Sequence, residues 1–336
     1  MTSLNSKSAV RKSWWKKPIR IFTQNKTPTP SLIVIYIIMV GIFSIFSRNY
    51  LTLTNYKSIF NNLAVFGILS AGVAIVMVAG GFDLSIGSIA GFVGVVSTML
   101  MMQENPLPTP IIIIIALCIG IAFGLINGLI ITKIGINPII TTLGTLAVIR
   151  GCCYFWALEN LRIYNTFWLK IGRNFIGNFL PYTTIYIIVI YIILTLMLKF
   201  TRFGRNLYAV GGNEDLARLA GINVDGIKIL SYAISGFFCG LGGIVLSSQL
   251  GSGRPEYGTG AELEVLTIVV LGGVAVGGGK GNYLGTFIAL VIIGSISNGL
   301  VLLNVPIFLR MVVKGALLVL AISIDALRNR KRLKLY

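Results

Sequence analysis

Long apolar runs separated by short polar segments dominate the chain. A helix needs about 20 mostly apolar residues to cross the hydrocarbon core of a bilayer, and ten runs approach that length. Several runs begin at a proline, which suits the first helical turn because its missing N–H is not needed there. The pattern predicts an all-α polytopic membrane protein with about ten transmembrane helices. The runs are Pro30 to Phe46, Ile59 to Gly80, Leu84 to Met102, Pro110 to Thr132, Pro138 to Ala157, Pro181 to Lys199, Ile229 to Leu250, Glu262 to Val276, Asn282 to Leu303 and Pro306 to Asp325.

Composition supports the membrane assignment and excludes several classes of enzyme. Of the 336 residues, 55% are hydrophobic and 11% are charged, whereas an ordinary soluble domain carries about 25% charged residues. The chain contains no histidine, which excludes histidine-based triads and HExxH zinc sites. The sequence therefore predicts a protein that is not an enzyme and has no catalytic residues.

The basic residues indicate the orientation of the chain in the membrane. The formal net charge is +18, but the positive charge lies between the apolar runs and at the two termini, so nucleic acid is not a predicted partner. An excess of Lys and Arg marks cytoplasmic loops. Placing both termini inside predicts a basic cytoplasmic segment over residues 1–30, a transmembrane domain over 31–326 and a basic cytoplasmic tail over 327–336.

The four cysteines do not indicate a metal or redox site. Cys118, Cys152, Cys153 and Cys239 all lie inside apolar runs, and none forms a Cys-x-x-Cys motif. Cysteine in such surroundings packs as a small apolar side chain. We therefore expect four reduced thiols and no metal ligands.

The most informative polar segment is the predicted cytoplasmic loop 200–228. Asn213 is a good N-cap residue, Glu214 and Asp215 suit the first turn of a helix, and Gly221 suits the position after its end. The spacing predicts a helix over 214–220, preceded by a turn at Gly211 and Gly212. A helix this short is unstable alone in water, so it must dock either on its own membrane domain or on a cytoplasmic partner. The candidate docking segment is Asn213, Glu214, Asp215, Leu216, Ala217, Arg218, Leu219, Ala220, Gly221 and Ile222.

Small residues recur at every fourth position in two of the runs. Gly120, Gly124 and Gly128 form one stripe, and Gly236 and Gly240 form another. Such stripes allow helix backbones to approach closely in lipid. We expect them to serve packing rather than chemistry.

Neutral polar residues lie within the apolar runs, whereas acids at membrane depth are nearly absent. This distribution argues against an ion-coupled carrier and suits a path for an uncharged, hydroxyl-rich solute. For any single residue, however, hydrogen bonding between helices is the favoured explanation. Asp83, in a glycine-rich break, is expected to cap the following helix or to line the path. Arg310 and Lys314 should face protein or water. The candidate path residues are Asp83, Ser85, Asn127, Thr141, Thr142, Thr145 and Asn298.

No nucleotide-binding motif is present. GGGKGN at 277–282 differs from a Walker loop, because Val274 stands where the first glycine belongs and Gly281 replaces Ser or Thr. If ATP powers transport, another subunit must supply the ATPase. A stand-alone secondary transporter or channel for a small neutral solute is the alternative.

Four motifs together resemble those of the ribose-type permeases, the membrane subunits of bacterial ATP-binding-cassette importers for simple sugars and autoinducer-2. The resemblance covers residues 31 to 326. The motifs are GGFDLSIGS at 80–88, INPIITTLGTLAVIRG at 136–151, FGRNLYAVGGNEDLARLAGINV at 203–224 and VLGGVAVGGGKGNYLGTFIALVIIGSISNGL at 270–300.

The resemblance implies a type II importer architecture in the inner membrane. Two permease subunits, identical or paralogous, would pair around a central path. Two ATP-binding-cassette subunits would use ATP and Mg²⁺, so this chain itself needs no cofactor. The stretch from Ala217 to Ile222 matches the family's cytoplasmic coupling segment. A periplasmic or lipid-anchored binding protein would deliver the sugar, and four basic residues are expected to dock it: Arg162, Lys170, Arg173 and Arg254.

Overall fold

The computed structural model describes residues 29–157, 161–177 and 179–333. The predicted basic N-terminal segment lies almost entirely outside these residues, as do the last three residues of the basic tail. The side chains of the tail are also outside the described part from residue 327 onward.

Thirteen α-helices account for most of the described residues, and each of the ten apolar runs contains one. The helix Thr109–Leu129 continues into a π-helical turn, Ile130–Ile134, which is followed by Gly135 in the left-handed conformation. The helices are α1 (Thr29–Phe46), α2 (Leu53–Val78), α3 (Ile86–Met101), α4 (Thr109–Leu129), α5 (Pro138–Trp156), α6 (Thr166–Arg173), α7 (Tyr182–Phe200), α8 (Arg202–Gly212), α9 (Glu214–Leu219), α10 (Val224–Leu250), α11 (Ala261–Leu271), α12 (Tyr283–Leu302) and α13 (Ile307–Leu333).

Six helices of the described chain are long and apolar enough to cross a membrane. The helices α1 and α3 are shorter apolar helices, and α11 has only 11 residues. The protein is therefore a multi-pass membrane protein. The six spans are Leu53–Val78, Thr109–Ile134, Pro138–Trp156, Tyr182–Phe200, Val224–Leu250 and Tyr283–Leu302.

The helices α4 and α10 pack closely in the core, and the two glycine stripes face each other there. A Cβ atom built on Gly236 would lie 2.2 Å from the carbonyl oxygen of Gly120, and one on Gly124 would lie 2.2 Å from that of Tyr232. No side chain larger than hydrogen fits at such distances. The predicted packing role of both stripes is confirmed.

One end of the bundle, here called the α6 end, is closed by short elements between α5 and α7. Strand β1 (Leu161–Arg162) pairs antiparallel with β4 (Ser252–Gly253), and β2 (Phe175–Ile176) forms a hairpin with β3 (Leu180–Pro181). Trp168 of α6 is fully buried, and its Nε1 donates to Ser247 Oγ at 3.2 Å. These contacts fix α6 across the end of α10.

The opposite end, here called the α9 end, carries α8 and α9. The predicted turn at Gly211 and Gly212 is wrong, because residues 202–212 form the helix α8. A Cβ atom on Gly211 would lie 1.8 Å from the carbonyl oxygen of Val78. This glycine therefore allows α8 to lie directly against the end of α2, which local turn propensity does not reveal.

Candidate functional site

The helix α9 is capped at both ends by neighbouring residues of the chain. The side chain of Asn213 accepts a hydrogen bond from the Leu216 N–H at 2.9 Å. At the other end Gly221 has φ +78, and the N–H of Ile222 donates to the carbonyl of Ala217 at 3.0 Å, which is the Schellman arrangement. The predicted helix over 214–220 is confirmed, although it ends one residue earlier, at Leu219.

One side of α9 is anchored to the membrane domain. Ala217 is 4% exposed and packs with Val210 and Val224. Ion pairs reinforce this contact at the start of α10, where Lys228 pairs with Glu214 and Arg218 pairs with Asp225 at 3.4 Å. The short helix thus has the tertiary support that it needs to remain folded.

The other side of α9 presents two large apolar side chains to the exterior. Leu216 is 64% exposed and Leu219 is 84% exposed. Neither leucine can snorkel or hydrogen-bond, so their exposure is unfavourable unless another surface covers them. The sequence left open whether this helix docks on its own membrane domain or on a partner. In the structure, the Ala217 face packs on the membrane domain, and the face with Leu216 and Leu219 is uncovered.

Backbone contacts between glycines join α8 to the loop between α11 and α12. A Cβ atom on Gly279 would lie 2.7 Å from Gly212, and one on Gly278 would lie 2.7 Å from Gly80. Tyr208 donates from its hydroxyl to the carbonyl of Gly281 at 2.9 Å, and burial raises the pKa of this phenol above its ordinary value. The glycine-rich motif at 277–282 is thus a packing element between the docking segment and the break after α2.

The break between α2 and α3 holds a fully buried carboxyl group, that of Asp83. Its Oδ1 accepts hydrogen bonds from the Ser85 hydroxyl at 2.6 Å and the Ser85 N–H at 3.1 Å. Its Oδ2 accepts one from Ser235 of α10 at 2.9 Å. The predicted capping role is wrong, because Ser85 occupies the cap position of α3 and makes no side-chain cap bond.

Two further residues hold the same break in place. Asn127 of α4 donates from Nδ2 to Ser85 Oγ at 2.9 Å. Tyr232 of α10 donates to the carbonyl of Phe82 at 2.9 Å. Sequence reasoning placed Asp83, Ser85 and Asn127 in one set, but it missed Ser235 and Tyr232, because single hydroxyls in an apolar helix give no signal of which neighbour they face.

The remaining candidate path residues lie apart from this cluster. Thr142 donates to the carbonyl of Pro138 at 2.8 Å, and Thr145 to that of Thr142 at 3.3 Å, so both bond within α5. The buried oxygens Thr141 Oγ1 and Asn298 Oδ1 have no hydrogen-bond partner among the described residues. The assignment of these residues to a path stays a prediction.

Three of the four basic residues expected to meet a binding protein lie together at the α6 end. Arg162 is on β1, whereas Lys170 and Arg173 are on α6, and all three are exposed. Arg173 also donates from Nε to the carbonyl of Gln249 at 3.0 Å. Arg254 lies on the segment between α10 and α11, alongside α3.

Lys314 and Glu264 form an ion pair inside the bundle, which the sequence did not predict. Lys314 of α13 donates to Glu264 Oε2 of α11 at 2.6 Å, and Ser297 of α12 donates to Oε1 at 3.3 Å. The Glu264 side chain is only 7% exposed. Lys314 therefore faces protein, as expected, and its charge is balanced within the bundle.

These features define a polytopic bundle with an open docking helix at one end and a polar helix break inside, an arrangement typical of a transport subunit. The family described as "Branched-chain amino acid transport system / permease component" matches residues 55–322. This match covers more than half of the chain. The chain belongs to this family of permease components.

Individual relatives extend the comparison to sugar permeases. The chain is 34% identical over 324 residues to the ribose import permease protein RbsC of Escherichia coli K12, covering 93% of this chain and 97% of that protein. It is 36% identical to RbsC of Bacillus subtilis 168, covering 86% and 89%. It is 32% identical to the galactose/methyl galactoside import permease MglC of Haemophilus influenzae Rd, covering 89% and 94%. The resemblance to ribose-type permeases is confirmed, and no solved structure matches the chain.

Proposed function

We propose that this chain is the membrane-spanning permease subunit of an ATP-binding-cassette importer for a simple sugar. Relatives with about one third identity over nearly the whole chain are named as ribose and galactose import permeases. The neutral polar groups inside the helices suit a solute with many hydroxyls and no charge. A ribose-like or galactose-like monosaccharide, or autoinducer-2, is the proposed cargo.

The observation that carries this proposal is the open face of α9. Leu216 and Leu219 are exposed on a helix that is capped at both ends and ion-paired to α10. A rigid helix with an apolar outer face is suited to fit a groove on a partner. The proposed partner is an ATP-binding-cassette ATPase, whose closure would push on α9 and, through α8 and the glycine contacts, on the break that contains Asp83.

The remaining parts of the importer follow from this assignment. The type II architecture would have about ten membrane-crossing helices in each permease, with α1, α3, α11 and α13 completing the six longer spans. The α9 end and both termini would face the cytoplasm, in agreement with the distribution of basic residues. A second permease subunit, two ATPases using ATP and Mg²⁺, and a sugar-binding protein docked at the α6 end would complete the complex in the inner membrane.

Gentle purification from the native membrane tests this proposal directly. We expect a P-loop ATPase to accompany the wild-type chain in stoichiometric amount. The variant Leu219→Asp should lose the ATPase, because a carboxylate would enter the apolar contact, whereas Leu219→Met should retain it. Arg218→Glu is a weaker test, because it also breaks the Arg218–Asp225 ion pair.

Two results would contradict the assignment. If the chain purified alone and moved ribose or galactose into vesicles without ATP, a secondary transporter would replace the importer. If Leu219→Asp inserted normally and kept both the ATPase and transport, α9 would not be the coupling element.

A further inference from the structure

The ten residues between α10 and α11 do not form a helix, although they run inside the bundle. Residues 251–260, here called the re-entrant segment because the chain re-enters the bundle there, include the short strand β4 and follow α3 from the α6 end toward the middle of the bundle. A Cβ atom on Gly253 would lie 2.7 Å from the carbonyl oxygen of Gly94, and one on Gly258 would lie 2.3 Å from that of Gly87. The segment therefore contacts α3 backbone to backbone over about two helical turns.

These contacts place the segment at membrane depth. Gly87 lies near the start of α3, and Met101 is its last residue, at the α6 end. At 1.5 Å per residue, Gly87 is about 20 Å along α3 from Met101. A hydrocarbon core is about 30 Å thick, so the segment descends past its middle.

A basic side chain satisfies part of the exposed backbone of the re-entrant segment. Arg150 of α5 donates from Nη1 to the carbonyl oxygens of Pro255 and, at 2.8 Å, Tyr257. Irregular backbone is tolerated at membrane depth only where it is buried in protein or lines water. Arg150 covers the protein side of the segment, and the other side remains open.

The open side carries charged groups. Arg254, Glu256 and Thr259 are exposed, and Glu262 at the start of α11 is half-exposed. Within the described residues, no ion pair or hydrogen bond involves the side chains of Arg254, Glu256 or Glu262. Unpaired charges at membrane depth are costly against lipid and mark solute pathways. This surface must therefore meet water or protein rather than lipid chains.

We propose that this charged patch (Arg254, Glu256, Thr259 and Glu262) lines the water-filled path and hydrogen-bonds the hydroxyl groups of the passing sugar. Carboxylates accept from hydroxyls, and a guanidinium donates to them. The inference rests on the proposed import function and identifies contact residues for it. By contrast, Asp83 is fully buried and already accepts three hydrogen bonds, so its carboxylate is not available to a solute in this conformation.

Accessibility to water is the first test and does not require the sugar to be known. Thr259→Cys and Glu256→Cys are each prepared in the full chain, in native membrane vesicles opened to both sides. They are treated with the charged thiol reagent methanethiosulfonate ethyltrimethylammonium, and mass spectrometry reports each site. The native Cys118 is the internal control, since it is exposed on an apolar face of α4.

We expect each introduced thiol to react at least about tenfold faster than Cys118, because the thiolate that reacts forms only where water reaches the sulfur. Equal and slow reaction at both introduced sites and at Cys118 would overturn the proposal, since the patch would then face lipid or a closed subunit contact. This result would leave the importer assignment intact, because co-purification of the ATPase tests that assignment separately.

Contact with the sugar is the second test. Glu256→Gln keeps the size of the side chain but removes its charge, and Glu104→Gln is the matched control in the exposed loop between α3 and α4. In vesicles supplied with ribose or galactose, Glu256→Gln should slow ATP-driven uptake about tenfold, because a neutral amide oxygen replaces a charged acceptor and binds the hydroxyl more weakly. Glu104→Gln should not. Unchanged uptake by Glu256→Gln would overturn the proposed contact.

Discussion

At the scale of single residues, the buried carboxyl group of Asp83 shows how an acidic side chain is held inside this bundle. Two hydroxyls and one backbone N–H surround it at 2.6 to 3.1 Å. A buried acceptor that loses its donor carries a desolvation penalty. The donor from α10, Ser235, therefore links the break after α2 to the central helix.

Removing this donor should destabilise the protein. Ser235→Ala should lower the free energy of unfolding by about 1–3 kcal/mol, because Asp83 Oδ2 would lose its donor inside the protein. Ser231→Ala is the matched control one turn earlier on α10, since Ser231 is equally buried but bonds only to the carbonyl of Ile227 in its own helix. Unfolding in mixed micelles with increasing SDS measures both. Equal effects of the two variants would contradict the role given to Ser235.

At the scale of elements, two short helices connect the open docking face to the interior. The helix α9 contacts α8 and the start of α10, and α8 contacts the end of α2 through Gly211. The α11–α12 loop closes the junction, where the Gly279 N–H donates to the carbonyl of Val78 at 2.9 Å. Because these backbones are in direct contact, a displacement of α9 should move α8 and the end of α2 with it.

Two adjacent glycines give a direct test of this junction. Gly211→Ala would bring a methyl group to 1.8 Å from the carbonyl oxygen of Val78, so α8 must shift, at a cost of about 1–3 kcal/mol. Gly212→Ala is the control, because nothing lies within 4 Å of the added atom. We expect Gly211→Ala to abolish sugar-stimulated ATP hydrolysis in the complex and Gly212→Ala to preserve it. Full activity of Gly211→Ala would show that α8 can move without loss of coupling.

At the scale of the whole molecule, α4 and α10 form a central pair whose separation is set by glycine. Hydrophobic burial does not hold helices together in lipid, so close packing must do so. Two glycines of α5 behave differently: a Cβ atom on Gly144 or Gly151 would meet nothing within 4 Å. The central pair is thus a fixed core, and α5 has an open face.

This difference predicts opposite outcomes for the same substitution in two helices. Gly236→Ala would place a methyl group 2.2 Å from the carbonyl oxygen of Gly120 and force α4 and α10 apart. The fraction that remains monodisperse after heating in detergent, measured by size-exclusion chromatography, should fall sharply. Gly144→Ala should match the wild type. If both variants were equally stable, the central packing would not depend on glycine.

Much of the local structure followed from the sequence. The apolar runs located ten helices to within a few residues at most ends, and the cap residues Asn213 and Gly221 located α9. These predictions succeeded because hydropathy and capping depend on neighbours along the chain. The turn predicted at Gly211 failed for a related reason, because its glycine serves a contact with Val78, a residue distant in sequence.

The candidate site was predicted only in part. Asp83, Ser85 and Asn127 do meet, but Ser235 and Tyr232 could not be assigned to them, because a hydroxyl in an apolar helix can face any of several neighbours. The re-entrant segment was also missed. The apolar runs end at Leu250 and begin again at Glu262, and sequence alone does not show that the short glycine-containing stretch between them turns back into the bundle.

The sequence alone determined that this protein is a polytopic helical membrane protein with a short capped helix among its polar loops and glycine stripes for close packing. Each of these properties depends on composition or on spacing along one helix. Only the tertiary structure decided that the two stripes face each other, that α9 leaves Leu216 and Leu219 open, and that charged residues after α10 lie at membrane depth. These are relations between distant segments, and the free energy that fixes them comes from contacts that no local pattern records.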